Sequence, residues 1–441
     1  AAEPSRGADG RPLPFLERGD SGLSVGVPGL LRMLELAHAR HGRLPWATLF
    51  EPAIRLADEG FEISPRLHRS IAAAAARICP HPAPAALLLA PGGCEAKPAG
   101  TRLRNPQLAA SLRRIAAQGA DALYTGPMAE AIAATVRSHP QRPGTLSPAD
   151  LAGYRARERE PVCGRYRAWR ICGMPPPSSG GIAVLQTLAM LERFALREHA
   201  PDSLAAVHLV SEAQRLAYAD RERYAADPDF VAVPVAGLLD PAYLAARSAL
   251  LRSDASLDRP EAGTPAGAPR VGRERAPAGP PSTTHVSIVD REGNAVAMTT
   301  SIEHAFGSLL MAGGFLLNNQ LTDFAAAAAD ADGVPLANRA EPGKRPRSAM
   351  SPTLVLDADG RLVAALGSPG GSAIIQYVSR TLLGLLEWRL DVQQAIDLPN
   401  YGGLASPVTL LERGTRLEGP ADGPRALGHR GGITDMNSGL H

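Results

Sequence analysis

Residues 283 to 300 read Thr283-Thr284-His285-Val286-Ser287-Ile288-Val289, then Asp290-Arg291-Glu292-Gly293-Asn294, then Ala295-Val296-Ala297-Met298-Thr299-Thr300. Two alternating, β-branched runs around a Gly-Asn turn predict a β-hairpin. The stretch before it has the opposite character. Arg252 to Ser282 is rich in Pro, Gly, Ala and charge and poor in bulky apolar residues, which predicts a flexible, exposed linker. Any fold of this chain must therefore let a mobile segment run straight into a core strand headed by a threonine.

The rest of the pattern is mixed helix and strand. Thr353 to Leu356 and Leu362 to Leu366 predict a second pair of short strands. Pro28-Gly29 opens a helix that closes at Gly42, so His38 and His41 read as basic residues at a helix C-terminus rather than as metal ligands. Ser147-Pro148-Ala149-Asp150 predicts a capped helix start, and Ile182 to Phe194 and Leu204 to Arg223 predict two further helices. Of 441 residues, 45% are apolar and 20% charged, which is globular composition with ample chain for a large core. Only 4% are aromatic, so that core is built mainly from Ala, Leu and Val. Lys and Arg number 46 against 44 acids; this balance argues against nucleic-acid or membrane-surface binding, and no apolar run reaches bilayer length.

The four cysteines carry no zinc-type spacing, and no His/Cys cluster implies a metal. Cys163 and Cys172 flank a short turn near Tyr166 to Ala168, which places them on neighbouring strands and favours a disulfide and an oxidising compartment. Cys79 and Cys94 stay open between a second disulfide and two buried thiols. Pro342-Gly343-Lys344 lacks the upstream glycine of a phosphate-binding loop.

A hydroxyl at the head of a strand after a mobile linker suits an N-terminal nucleophile. Cleavage just before it frees an α-amine, with a pKa of about 7.7–8.0, to act as the base. By itself this is a weak signal, since Thr begins many strands. The surrounding motifs strengthen it. Thr283-Thr284-His285, the Asp-x-x-Gly-Asn-Ala-Val-Ala hairpin, Leu316-Leu317-Asn318-Asn319-Gln320-Leu321-Thr322-Asp323-Phe324, Lys344-Arg345-Pro346-Arg347-Ser348-Ala349-Met350-Ser351-Pro352-Thr353 and Gly367-Ser368-Pro369-Gly370-Gly371-Ser372 occur in order. With Met174-Pro175-Pro176-Pro177-Ser178-Ser179-Gly180-Gly181 and Tyr218-Ala219-Asp220-Arg221 upstream, the chain resembles the γ-glutamyltranspeptidase family over nearly its whole length.

The resemblance implies an α/β (α+β) fold, the four-layer αββα sandwich of N-terminal nucleophile hydrolases. It implies autocleavage between Ser282 and Thr283 into a large-subunit portion, 1–282, with 252–282 as its linker, and a small subunit, 283–441. Thr283 would then take a γ-glutamyl group from glutathione or another γ-glutamyl amide and pass it to water or an amino acid. By the same resemblance the amides of Gly370 and Gly371 form the oxyanion hole, Asp323 holds the substrate ammonium with Gln320 beside it, and Ser348 binds its carboxylate. No cofactor or metal is implied, and neither is a nucleic-acid partner. Export to the periplasm or outside is expected. The family's carboxylate-binding arginine has no counterpart, and Ala1 in place of Met leads us to expect a parent chain longer at both ends, its missing front carrying an export signal.

The departures fall on substrate recognition. Ser301 stands where the family usually has a second threonine beside the nucleophile, and keeps the hydroxyl. Glu303 replaces an asparagine that contacts the glutamyl head; it favours an ammonium and repels a carboxylate. Ala349 replaces the second of two serines. Two competing readings follow: a side-chain acylase of the glutaryl or cephalosporin type, and an inactive truncated paralogue.

Overall fold

A computed structural model of the chain describes residues 13–274, 282–405, 408–418, 425–436 and 438–441. They form two compact units, one made of the described residues from Arg159 to Ser301 with those from Asp323 to His441, the other of those from 13 to Glu158 with Ile302–Thr322.

In the first unit, the strands β1 (Val162–Tyr166) and β2 (Trp169–Gly173) pair antiparallel with Cys163 opposite Cys172, and the two are joined as a disulfide. The hairpin that follows the linker is present as β3 (Thr284–Val289) and β4 (Ala295–Thr300). Strands β5 (Thr353–Leu356) and β6 (Leu362–Leu366) match the expected second pair. β5 pairs with β2 as well as β6, giving a four-stranded sheet ordered β6-β5-β2-β1. A strand from after residue 283 is thus hydrogen-bonded to one from before it.

Helix α1 (Gly180–Leu191) lies against β1 and β2, and against α2 (Leu204–Tyr224) and α3 (Ile374–Leu386). Its side chains are buried all round except at Ala189, as expected of a helix that is apolar on every face. α1 starts two residues earlier than the sequence pattern predicts and releases the chain before Phe194. Ser203 caps α2 by accepting from the Ala206 amide. Strands β7 (Tyr401–Gly403), β8 (Val408–Glu412) and β9 (Arg430–Thr434) form a separate three-stranded sheet.

Two expectations need correction. The nucleophile strand is not fully buried: His285 is 3% exposed, but Ile288 and Val289 are each 54% exposed. The linker is also less free than its composition predicts. Residues 252–274 contain no helix or strand, yet Val271 and Glu274 are buried. The Arg215 guanidinium donates to the Leu257 carbonyl at 2.6 Å, the Gly263 amide donates to Asp220 at 2.9 Å, and Glu274 pairs with Arg347 at 3.1 Å. Low apolar content did not mean low packing, because Arg215 and Asp220 of α2, together with Arg347, supply the partners. Most of the remainder of the linker lies outside the described residues.

The second unit is mainly helical, with two short antiparallel strand pairs. Leu30–His41 stops at Gly42 as expected, and Ser147 forms a full capping box with Asp150. Its main core gathers Ile115, Tyr124, Ile132, Val136 and Leu151. Cys79 and Cys94 are joined as a disulfide, which settles the pairing the spacing left open. Among the described residues no helix is long and apolar enough to cross a membrane.

Candidate active site

The register of the hairpin builds the first part of the site. Thr284 lies opposite Thr300, so the residues just beyond the ladder, Thr283 and Ser301, face each other. The Thr283 hydroxyl donates to the carbonyl of Ser282 at 2.6 Å, and the Ser301 hydroxyl donates to the same oxygen at 2.8 Å. The two hydroxyl oxygens are 3.3 Å apart. The carbonyl carbon that Thr283 would attack therefore carries an oxygen held by two donors. Such an oxygen is ready to take negative charge as a tetrahedral intermediate forms.

The second part follows β6. Gly370 has φ +144° and Gly371 φ +56°, both in the region that favours glycine. A Cβ on Gly370 would lie 2.4 Å from the Tyr377 ring, so space as well as φ requires glycine there. A short turn, Gly371–Ala373, leads directly into α3, so the two amides sit at the positive end of a 13-residue helix. Among the described residues, neither amide donates to a protein acceptor. Two such donors at a helix N-terminus fit an oxyanion. The Tyr218 hydroxyl, buried in α2, donates to the Ser372 carbonyl and fixes the turn from beneath.

Ser348 is held through its backbone. Its carbonyl accepts from the Ser179 amide at 2.8 Å and the Ser179 hydroxyl at 2.6 Å, and its amide donates to the Pro177 carbonyl. Arg221 donates to the Ser179 hydroxyl at 2.7 Å. Burial, then the neighbouring Arg347, pushes the Arg221 pKa down to about 10. Ser348 Oγ accepts from the Met350 amide, so its proton remains available to a ligand carboxylate. The Asp323 carbonyl accepts from the Asn338 side chain at 2.8 Å. Glu303 and Gln320 belong to the other unit. Glu303 adopts φ +75°, and the Gln320 amide donates to Asn318 at 3.0 Å.

Of the expected residues, then, Ser282, Thr283 and Ser301 form one hydrogen-bonded set. Asp323, Ser348, Gly370 and Gly371 share its unit, and Glu303 and Gln320 do not. Motif matching passed over three residues as individuals: Tyr218 and Arg221, which hold the frame, and His285. Strand alternation places His285 on the same face as Thr283, and that was the available signal.

Among the described residues, His208, Glu212 and His429 come close enough to share a cation. They read as a closed network instead. His208 Nε2 meets the Arg252 carbonyl, His208 Nδ1 meets His429 Nε2, His429 Nδ1 meets the Thr409 hydroxyl, and Arg215 lies on Glu212. The guanidinium already supplies the positive charge a cation would bring.

The chain is similar to known proteins over most of its length. The γ-glutamyltranspeptidase family model matches residues 10–429. The glutathione hydrolase proenzyme of Bacillus subtilis strain 168 is 37% identical over 400 residues, covering 89% of this chain and 66% of that protein. The acylase ACY 1 proenzyme of Pseudomonas sp. strain SE83 is 38% identical over 381 residues, covering 85% of this chain and 63% of the relative. Among solved structures, cephalosporin acylase from Bacillus halodurans matches with TM-score 0.80 at 26% identity, over 93% of this chain and 72% of that one. The chain spans about two thirds of the length of the curated relatives it matches. The fold is the mixed α/β fold of the N-terminal nucleophile hydrolases. With its motifs in order and the family match running from residue 10 to 429, the chain belongs to the γ-glutamyltranspeptidase family.

Proposed function

We propose that the chain is an autoprocessing γ-glutamyltransferase and glutathione hydrolase with Thr283 as its nucleophile. The observation that carries this reading is the pair of hydroxyls on the Ser282 carbonyl. In maturation Thr283 Oγ attacks the Ser282 carbonyl carbon. The peptide C–N bond breaks, the nitrogen takes the proton, and the chain shifts to an ester. Water then hydrolyses that ester, leaving residues up to 282 as the large-subunit portion and Thr283 as a new N-terminus.

In turnover the freed α-amine takes the Thr283 hydroxyl proton as the oxygen attacks a γ-glutamyl amide. The Gly370 and Gly371 amides hold the oxyanion, the leaving amine receives the proton, and water or an amino acid removes the acyl group. Asp323 with Gln320, and Ser348, are assigned to the ammonium and carboxylate of the donor. The pairing of β2 with β5 supports a mature form in which both pieces stay together. Two disulfides support a periplasmic or extracellular location.

A second reading, a side-chain acylase, is favoured by Glu303 and Ala349 and by the resemblance to acylase ACY 1 and cephalosporin acylase. Intact-mass analysis of the wild type and Thr283→Ala tests the first step. Two fragments separating before Thr283, absent from the variant, are expected; cleavage that persists in the variant removes Thr283 from the mechanism. Parallel assays with γ-glutamyl and glutaryl anilides then separate the two donors, and a clear glutaryl preference establishes the acylase.

A further inference from the structure

We propose that His285 is a positioning residue, a neutral wedge that sets the oxyanion turn against the nucleophile strand. The proposal rests on the roles given above to Thr283 and to Gly370-Gly371. His285 is the one buried residue of the hairpin, Thr283 to Thr300, and it lies on the face of the strand that Thr283 heads. Nδ1 is 2.7 Å from the hydroxyl of Thr299, its partner across the ladder, and Nε2 is 3.1 Å from the Ser287 hydroxyl. The Ser287 hydroxyl donates onward to the His441 carbonyl at 3.4 Å, which suits it to accept from Nε2–H, and the Thr299 hydroxyl is placed to donate to Nδ1. That pattern is the one a neutral ring with its proton on Nε2 makes. Both nitrogens are engaged within the hairpin, so the ring has none left to serve as the base for Thr283. Burial acts in the same direction, pushing its pKa down to about 4.

The ring lies directly on Gly367. A Cβ there would fall 2.2 Å from Cε1, 2.3 Å from Nδ1 and 2.7 Å from Nε2, well inside van der Waals contact. The φ of Gly367 does not itself call for glycine; the space taken by the imidazole does. Three residues on, Gly370 is pressed against Tyr377 in the same way. The short span between is stiffened by Pro369 and by the Ser368 hydroxyl donating to the Pro369 carbonyl. The oxyanion turn is thus gripped at both ends, by Tyr377 from α3 and by His285 from β3. The grip at the β3 end is what ties it to Thr283, two residues away on the strand. Removing the ring frees Gly367 to sink toward β3 and carries the Gly370 amide with it. Displacement of a reacting group by about 1 Å costs on the order of 100-fold in rate.

The shape match supplies the test. In the full chain, His285→Ala and Gly367→Ala are each expected to lower kcat and the rate of self-cleavage about 100-fold, with KM changed less than about twofold. The double variant should recover at least about tenfold over either single one, because the alanine methyl at 367 fills the space the ring leaves. His285→Gln keeps a polar group for Thr299 but not the ring volume, and should behave like His285→Ala. It replaces that variant if His285→Ala does not fold. A double variant no better than the product of the single effects, or a His285→Gln with kcat within about threefold of wild type, overturns the wedge. Wild-type protein that neither cleaves nor turns over a donor refutes the Thr283 reading, and this proposal falls with it.

Discussion

Replacing Ser301 by alanine isolates the part of the site that the structure defines most directly. The Ser282 carbonyl oxygen has two side-chain donors, Thr283 at 2.6 Å and Ser301 at 2.8 Å. To attack the adjoining carbon, the Thr283 hydroxyl must give up its own bond to that oxygen. Ser301 is then the side-chain donor that stays, among the described residues, as the oxygen turns anionic. In the ground state a neutral hydroxyl–carbonyl bond nets about 1 kcal/mol. On a developing oxyanion one donor is worth about 2.7–4 kcal/mol. The difference, about 2–3 kcal/mol, appears as a rate, so Ser301→Ala should slow self-cleavage about 30- to 160-fold. Ser301→Thr retains the donor and should stay within about threefold of wild type. Quenched time courses read by intact mass give the rate directly. A Ser301→Ala chain that cleaves within about threefold of wild type would show that Ser301 merely fills space beside Thr283, and the two-donor argument would fail.

Three further outcomes follow from the same geometry. His285 and His429 are both buried, and burial pushes each pKa down from 6.5 to about 4, so the unfolded chain binds their protons first as pH drops. Stability should be full above about pH 7 and fall by about 1.4 kcal/mol per unit for each histidine between pH 6.5 and 4; urea unfolding that is flat over that range contradicts this. The disulfides close loops with sequence separations of 9 and 15, so reducing either should cost about 3 kcal/mol, measured by unfolding of the Cys163→Ala/Cys172→Ala and Cys79→Ala/Cys94→Ala variants. Glu303→Asn combined with Ala349→Ser restores the family's residues at both positions, and should raise the ratio of kcat/KM for γ-glutamyl over glutaryl anilides about tenfold. An unchanged ratio would remove those two residues from donor selection.

Local features were legible in the sequence, and features made by distant partners were not. The β3–β4 hairpin could be read because alternation and a Gly-Asn turn are properties of one short stretch. The Cys163–Cys172 disulfide could be read for the same reason, since a tight turn sets its two cysteines opposite each other. Cys79 and Cys94 are separated by a short helix, Pro82–Leu88, and a turn, and their spacing alone leaves the pairing open. The linker was misjudged because its burial rests on Arg215, Asp220 and Arg347, charged residues whose partners lie far along the chain. His285 is the clearest instance. Its identity was plain within Thr283-Thr284-His285, but its meaning lies in the glycine beneath it, and nothing in the local pattern pairs residue 285 with 367.

The same distinction explains why the nucleophile is easier to assign than the substrate. Thr283 needs a strand to head, a neighbouring hydroxyl and a peptide to cut, and all three are supplied within residues 282 to 301. The residues proposed for donor recognition, Glu303, Gln320, Asp323 and Ser348, are carried by separate segments of the chain. On the proposed reading, substitutions there would leave the cleavage chemistry intact, so one frame could be fitted to different acyl groups. Among relatives of near-equal identity, some are named glutathione hydrolases and others acylases, as that separation of roles would produce. The frame holds its geometry through contacts such as His285 on Gly367 and Tyr218 on Ser372, residues other than those proposed to bind the donor. Changes of donor specificity should therefore leave the frame contacts in place, and damage to the frame should slow cleavage and turnover together whichever donor is used.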